Sequence, residues 1–594
     1  MNNKIDAIRK LMKDNGVETY LVPSSDPHQS EYVPEFWQRR KFISGFTGSA
    51  GDVVITRKKA GLWTDSRYFL QAEQELDGKV FTLFKMGLPD VPHFDDWLIR
   101  ELKKGESLGL DPRVVSHKNY SALKKKLEDR GIRLKTIEKN LVDELWEGRP
   151  EPPRGKVEVH KEKYSGETTA SKLQRLRAKM SEEAVDAHVV AMLDSIAWLF
   201  NIRGSDVKYN PVTISYAIVT QEKAFLFVDP GKMTEAAKKS LKGIVEVRGY
   251  DDFSSGLQTL ARKGAKVWLD EGSVSQWIVS NLERGASFLF KPSPIKMFKA
   301  VKNKTEISGF RAAHIRDGVA MVKFLFWLEK NAGHDRVTEV SAAEKTAEFR
   351  TLDKMFRGMS FETISSYGAH GAVVHYAPSP ETDVPLKPEG IYLIDSGGQY
   401  LDGTTDITRT ISLGSPTEEQ KERFTRVLKG LVDLLTTSFP QGTVGKQLDT
   451  ISRLPLWEKG LNYGHGTGHG IGTYLNVHEG PQAISYYRCI GITLEPGMIT
   501  TIEPGYYKDN EYGLRVENVA LVVKDEERSS EESVFYTFEN LTLCPIDLRL
   551  VKKELLTQRE IDWLNGYHQN VFKTLAPLLD EPEVDWLKKA TQEI

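Results

Sequence analysis

Two aspartates, a histidine and two glutamates in the last third of the chain are the residue types that hold a pair of divalent metal ions. They are Asp395, Asp406, His469, Glu503 and Glu517, in the stretches IDSGGQYLDGTTDITRT, GHGTGHGIG, TIEPGYY and LRVEN. Two ions held by carboxylates activate water at neutral pH without a side-chain nucleophile. The set therefore points to metal-assisted hydrolysis. Carboxylate-rich ligation with one imidazole favours a hard or borderline ion, Mn2+ first, with cobalt or zinc as alternatives. The sequence has no HExxH, no P-loop, no GxSxG elbow and no CxxC. GFTGSAG (45–51) is too irregular for a dinucleotide fingerprint and reads as a tight turn.

The elements that must position these residues are short. IYLID predicts a strand ending at Asp395, and TDITRTISL (405–413) a second strand that contains Asp406. Gly397, Gly398 and Gly403 lie between them, so a hairpin would set the two aspartates face to face. An unpaired carboxylate in an apolar strand is costly, which favours a ligand role. The four glycines of GHGTGHG make a poor helix. They predict extended chain around His465 and His469, passing close to another element. Five of the thirteen histidines, His370, His375, His465, His469 and His478, fall within 109 residues. Glu503 ends an apolar strand before a Pro-Gly turn. Glu517 sits in the predicted strand GLRVENVALVV, where a period of two puts it on one face with Arg515.

At 594 residues the chain exceeds one core. The balance of 81 Lys+Arg against 83 Asp+Glu gives a net charge of -2, so no basic excess points to nucleic acid or to an anionic membrane. Two cysteines, Cys489 and Cys544, form no disulfide framework and suit a reducing, cytoplasmic location. The N-terminus has helical spacing at Ile5, Ile8, Leu11 and Met12 rather than a signal sequence, and no 18-residue apolar run is present.

Two segments read as distant copies. VETYLVPSSD, FISGFTGSAGDVVIT and GLWTDSRYF match, in order, VDAHVVAMLD, FNIRGSD with YAIVT, and AFLFVD. Such duplication predicts two related α/β domains. WEGRPEPPRGKVEV (146–159) is a linker by its Pro/Gly density, and a second boundary falls near 295–303. The expected domains are 1–155, 156–300 and 301–594. The third opens with helices to about 360, continues in short β-rich runs and ends helical over 555–594.

The five candidate ligands, in this order and context, resemble the dinuclear "pita-bread" metallopeptidases. HYAPSPET, HGTGHGIGTYLNVHEGP and EPGYY are most similar to the aminopeptidase P (Xaa-Pro aminopeptidase) family, and WTDSRYFLQAEQEL and SSDPHQSEY to its N-terminal domain. The resemblance implies two creatinase-type α/β N-terminal domains and an α+β pita-bread catalytic domain, a curved antiparallel sheet with metals in its concave face. It implies two divalent ions, Asp395 on one, His469 and Glu503 on the other, Asp406 and Glu517 bridging, and Glu503 as the proton acceptor from water. His375, His465 and His478 match positions that contact the peptide or stabilise the tetrahedral intermediate. Arg67 matches a substrate-contacting arginine, though it also reads as a surface partner of Asp65. Arg515 is expected to support Glu517. Proline carries no N–H, so a site for Xaa-Pro needs an apolar slot, with Tyr367, Tyr376 and Tyr474 as candidates. The family also implies peptide substrates with proline second, and a homodimer. Alternatives are a prolidase-type Xaa-Pro dipeptidase, which usually has one N-terminal domain, and a pita-bread peptide-binding module that has lost its metals.

Overall fold

Two six-stranded sheets built to one design fill the first half of the chain. The structure is a computed structural model and describes residues 2–334, 336–487 and 491–594. A helix over Asn2–Asp14 (α1) buries Ile5, Ile8 and Met12. The strands that follow are β1 (Thr19–Pro23), β2 (Asp52–Thr56), β3 (Ala60–Thr64), β4 (Thr82–Lys85), β5 (Ser107–Leu110) and β6 (Arg133–Thr136). Their order is β4-β3-β2-β1-β5-β6. β1 is antiparallel to β2 and parallel to β5. The second sheet uses β7 (Ala187–Val190), β8 (Ser215–Thr220), β9 (Ala224–Val228), β10 (Glu246–Arg248), β11 (Lys266–Leu269) and β12 (Ser287–Phe290). Its order is β10-β9-β8-β7-β11-β12, the same path taken six strands later. The central strands are buried at nearly every position, which is why they read as largely apolar runs.

The chain gathers into two compact units, 1–160 with 167–296, and 161–166 with 297–594. Both repeats thus belong to one unit, each with its own apolar core. Residues 148–156 carry no helix or strand, as their Pro/Gly content leads one to expect.

The second unit opens on α2 (Lys304–Asn331), whose Asn303 cap accepts from Thr305 and Glu306 N–H. α3 (Glu339–Thr351) follows, capped by Thr338. Among the described residues, the strand pairs of this unit are antiparallel. β13 (Ile364–Tyr367), β14 (Ile391–Ser396) and β15 (Ile407–Ser412) make one sheet. α4 (Glu418–Leu435) and α5 (Gly445–Trp457) pack together, and then come β16 (Gly468–His469), β17 (Ala483–Ile484), β18 (Ile499–Ile502), β19 (Gly505–Lys508), β20 (Tyr512–Arg515), β21 (Asn518–Lys524) and β22 (Phe535–Asn540). The tail is helical, with α6 over Gln558–Leu575. One core joins α4 (Phe424, Val427, Leu431), the strands (Ile502, Leu514, Val522) and α6 (Leu564, Val571). Each such fully buried side chain contributes roughly 1.5–3 kcal/mol. Cys544 is a buried free thiol, and Cys489 lies outside the described residues. Among the described residues no helix is long and apolar enough to cross a membrane.

Candidate metal centre

β14 carries Asp395 into the interior, where its residue is only 7% exposed. Oδ2 accepts from Arg515 Nη2 at 2.6 Å, while Oδ1 is buried with no hydrogen-bond partner. The predicted hairpin is present, but Asp395 stands opposite Thr408 rather than Asp406. The intervening glycines form a further strand pair, Gly398–Tyr400 with Gly403–Thr404. Asp406 therefore enters from the loop just before β15.

The GHGTGHG chain is extended, pairing at β16 with β17. Its glycines are required by close passage. A Cβ on Gly468 would lie 2.0 Å from the Thr501 carbonyl, and one on Gly470 2.1 Å from that of Glu479. His469 Nδ1 lies 3.0 Å from the Gly470 carbonyl. A carbonyl can only accept, so Nδ1 holds the proton and Nε2 presents a lone pair. Nε2 faces Asp406 Oδ2 at 3.5 Å and Glu503 Oε1 at 3.6 Å. Asp406, His469 and Glu517 each offer a ligand atom within 4.8 Å of the others.

Glu503 follows β18, and its N–H donates to Thr467 O at 2.7 Å. Burial, with the Asp395 charge adding to it, pushes its carboxyl up to about 7. Glu517 occupies the joint between β20 and β21, 1% exposed, and Oε2 accepts from Thr408 Oγ1 at 2.7 Å. Burial, followed by neighbouring carboxylate charge, raises Asp406 and Glu517 well above the usual carboxylate range. Four carboxylates and one imidazole converge here, with Arg515 bound directly to only one of them. Such crowding is costly without cations. The oxygen-rich donors and the orphaned Asp395 oxygen fit a pair of divalent ions.

Arg515 makes its direct carboxylate hydrogen bond to Asp395 rather than to Glu517. It acts on Glu517 by charge and through Thr408, whose hydroxyl accepts from Arg515 Nε at 3.1 Å. The physical reason is the joint at Val516–Glu517: the two residues do not share one continuous strand, so period-two reasoning does not apply.

His465 Nε2 lies 2.8 Å from Tyr507 Oη, which accepts from Arg515 Nη1 at 2.7 Å. A chain of bonds thus runs from His465 through Tyr507 and Arg515 to Asp395. The His478 ring stands 4.4 Å from that of His469, nearly perpendicular. His375 follows Val374, whose carbonyl is 3.5 Å from Arg515 Nη1. Arg67 belongs to the other unit, where Asp65 holds it through Nε at 2.8 Å and Nη2 at 2.7 Å. Of the aromatic candidates, Tyr367 donates to Glu389 O. Tyr376 donates to Glu339 Oε2 and stacks on His370. Tyr474 is buried with φ +49° in the His469–His478 segment. Sequence reasoning missed Thr408, Tyr507 and Arg409. Tyr507 lies in the quoted EPGYY motif, but nothing in its type marks it.

Residues 4–145 and 148–306 match family models for creatinase/prolidase N-terminal domains. Residues 308–524 match metallopeptidase family M24, and 534–594 its C-terminal region. The class is therefore that of the M24 metallopeptidases. A probable Xaa-Pro aminopeptidase P from Coprinopsis cinerea is 42% identical over 100% of this chain and 98% of its own length. The crystal structure of an X-prolyl aminopeptidase from Caenorhabditis elegans, a cytosolic enzyme with a di-nuclear active site, superposes with a TM-score of 0.96 at 37% identity, covering 100% of this chain and 99% of the other. A prolidase from Pyrococcus horikoshii OT3 covers 64% of this chain and 99% of its own, at 26% identity and TM-score 0.51. The chain belongs to the Xaa-Pro aminopeptidase P family.

Proposed function

We propose that the protein is an Xaa-Pro aminopeptidase that removes the N-terminal residue from peptides with proline in second position. The observation that carries this reading is the convergence of Asp406, His469 and Glu517 beside Asp395 and Glu503, in a chain similar end to end to Xaa-Pro aminopeptidases. Asp395 would hold one ion, His469 and Glu503 the other, and Asp406 and Glu517 would be shared between them. Mn2+ is the ion of choice for so many carboxylates. The chemistry such ions supply when held is polarisation of a carbonyl and a lowered pKa for water.

The chain's own groups do the rest. Glu503, buried among the other acids, accepts the proton of the attacking water. His375, His465 and His478 contact the peptide. A histidine donating to a developing oxyanion contributes a few kcal/mol. Tyr507 holds His465 in place through its hydroxyl. Tyr474 is the favoured side of the proline slot, because the Tyr376 hydroxyl is committed to Glu339. Arg67 is assigned to substrate contact on its match to the family's arginine alone. The assigned domains are 1–155, 156–300 and 301–594, and the location is cytosolic.

Chelated protein given back Mn2+ should hydrolyse Arg-Pro-Pro and leave both Arg-Pro and Leu-Gly-Gly intact. Preference for Arg-Pro would make it a prolidase. No hydrolysis with any metal would leave a peptide-binding module. A homodimer formed through the catalytic unit is also proposed. Its support is the exposed Leu454 and Trp457 on one face of α5, with exposed Tyr486 and Tyr487 against the neighbouring Arg453. Sedimentation should give twice the chain mass of 67.1 kDa, and a monomer mass would refute it.

A further inference from the structure

Arg409, in the middle of β15, is 2% exposed and all its acceptors are neutral. Nε donates to Pro545 O at 3.0 Å. Nη1 donates to Thr408 O at 2.9 Å and to Glu517 O at 2.8 Å. Nη2 lies 2.9 Å from Asn518 Oδ1, 3.0 Å from Cys544 O and 2.8 Å from Tyr567 Oη. Tyr567 in turn donates to Cys544 O at 2.7 Å. One guanidinium therefore ties three places together: the strand beside Asp395, the joint that carries Glu517, and the C-terminal segment from Cys544 to α6.

The joint is where such help is needed. Glu517 lies outside both flanking strands, so the regular ladder does not fix it. Its N–H donates to Thr408 O at 3.2 Å, its carbonyl accepts from Arg409, and its carboxylate accepts from Thr408 Oγ1. Arg409 thus grips the main chain of Glu517 and of Thr408, the residue that aims the Glu517 carboxylate. A buried backbone carbonyl needs a donor, and the planar fork of arginine serves several at once where an ammonium serves as a point.

We propose that Arg409 is a positioning residue for Glu517, and that the C-terminal segment through Tyr567 is part of the scaffold that sets metal affinity. This rests on the reading of Glu517 as a metal ligand. Groups that orient metal ligands typically change affinity by roughly 10–100-fold when removed.

The test is Mn2+ titration calorimetry on the chelated full chain, with thermal unfolding measured alongside. The variants are Arg409→Lys, Tyr567→Phe and, as a control for destabilisation alone, Leu587→Ala, a fully buried core residue. Arg409→Lys should weaken at least one Mn2+ by about 10-fold or more, and Tyr567→Phe by about 3-fold or more. Leu587→Ala should lower the melting temperature and leave affinity unchanged. If Arg409→Lys fails to fold, Tyr567→Phe, which removes one hydroxyl, decides the matter. Unchanged affinity in Tyr567→Phe and in any folded Arg409→Lys overturns the proposal, as does affinity that merely tracks melting temperature across all variants. If the parent protein takes up no Mn2+, the metal-centre reading itself has failed, and the positioning role falls with it.

Discussion

Exchange of Glu503 for glutamine should lower kcat on Arg-Pro-Pro by about 1,000-fold or more. Glutamine keeps the shape and the possible contact with Thr501 Oγ1, but it cannot accept a proton from water and donates no anionic oxygen to a cation. Without cations, burial raises this carboxyl to about 7; bound cations favour its anionic form, which is the form that accepts the proton. The loss should fall on kcat more than on KM, because the proton moves only as the bond is made. Bound metal is to be counted by elemental analysis in the same samples. A variant that retains its metals and loses kcat identifies the proton acceptor. One that loses metal and activity together identifies chiefly a ligand. A kcat within a factor of ten of the parent removes Glu503 from the reaction.

Stripping the metals should make stability fall as pH rises from about 4 to about 7. Asp406, Glu503 and Glu517 all keep their protons to higher pH in the folded chain than in the unfolded one. Below the unfolded value, 4.5 for Glu503, both states are protonated and no penalty applies. Above it the unfolded carboxyls ionise first, which favours unfolding until the folded groups ionise too. Glu503 alone is worth about 3 kcal/mol by pH 7. Added Mn2+ should therefore raise the melting temperature by roughly 5–10 °C more at pH 8 than at pH 5. Differential scanning calorimetry of chelated and reloaded protein measures this. An equal gain at both pH values would mean that carboxylate crowding is not what the ions relieve.

What was legible in the sequence follows from residue type and local spacing. The repeated sheets could be read because β1 to β3 and β7 to β9 are apolar runs buried on both faces. The extended path around His465 and His469 was readable because glycine density excludes helix, and the structure supplies the reason in the backbone carbonyls of Thr501 and Glu479. Asp395 stands out because it is an acid in an apolar strand, while Asp406, His469, Glu503 and Glu517 are legible only together, as acids and a histidine in glycine- and proline-marked turns beside apolar runs. Their support is not legible. Thr408, Tyr507 and Arg409 act through partners about 40 to 160 residues away, and no local pattern encodes such distances. The hydrogen bond from Arg515 to Asp395 is not legible, because a strand that ends at Arg515 looks, in sequence, like one that continues. The grouping of both repeats into one compact unit likewise depends on contacts that no local pattern records.

The bond from Tyr567 to Arg409 also bears on how the protein is made. A ribosome releases the chain from its N-terminus at about 5–20 residues per second, so both repeated sheets have left the tunnel long before the acidic cluster is complete. The last carboxylate, Glu517, emerges some 50 residues before the tyrosine that braces it. A nascent chain thus carries its full complement of acids before it carries the brace. On the reading that Tyr567 braces the Glu517 joint through Arg409, the centre reaches its full metal affinity only after Tyr567 has emerged and docked.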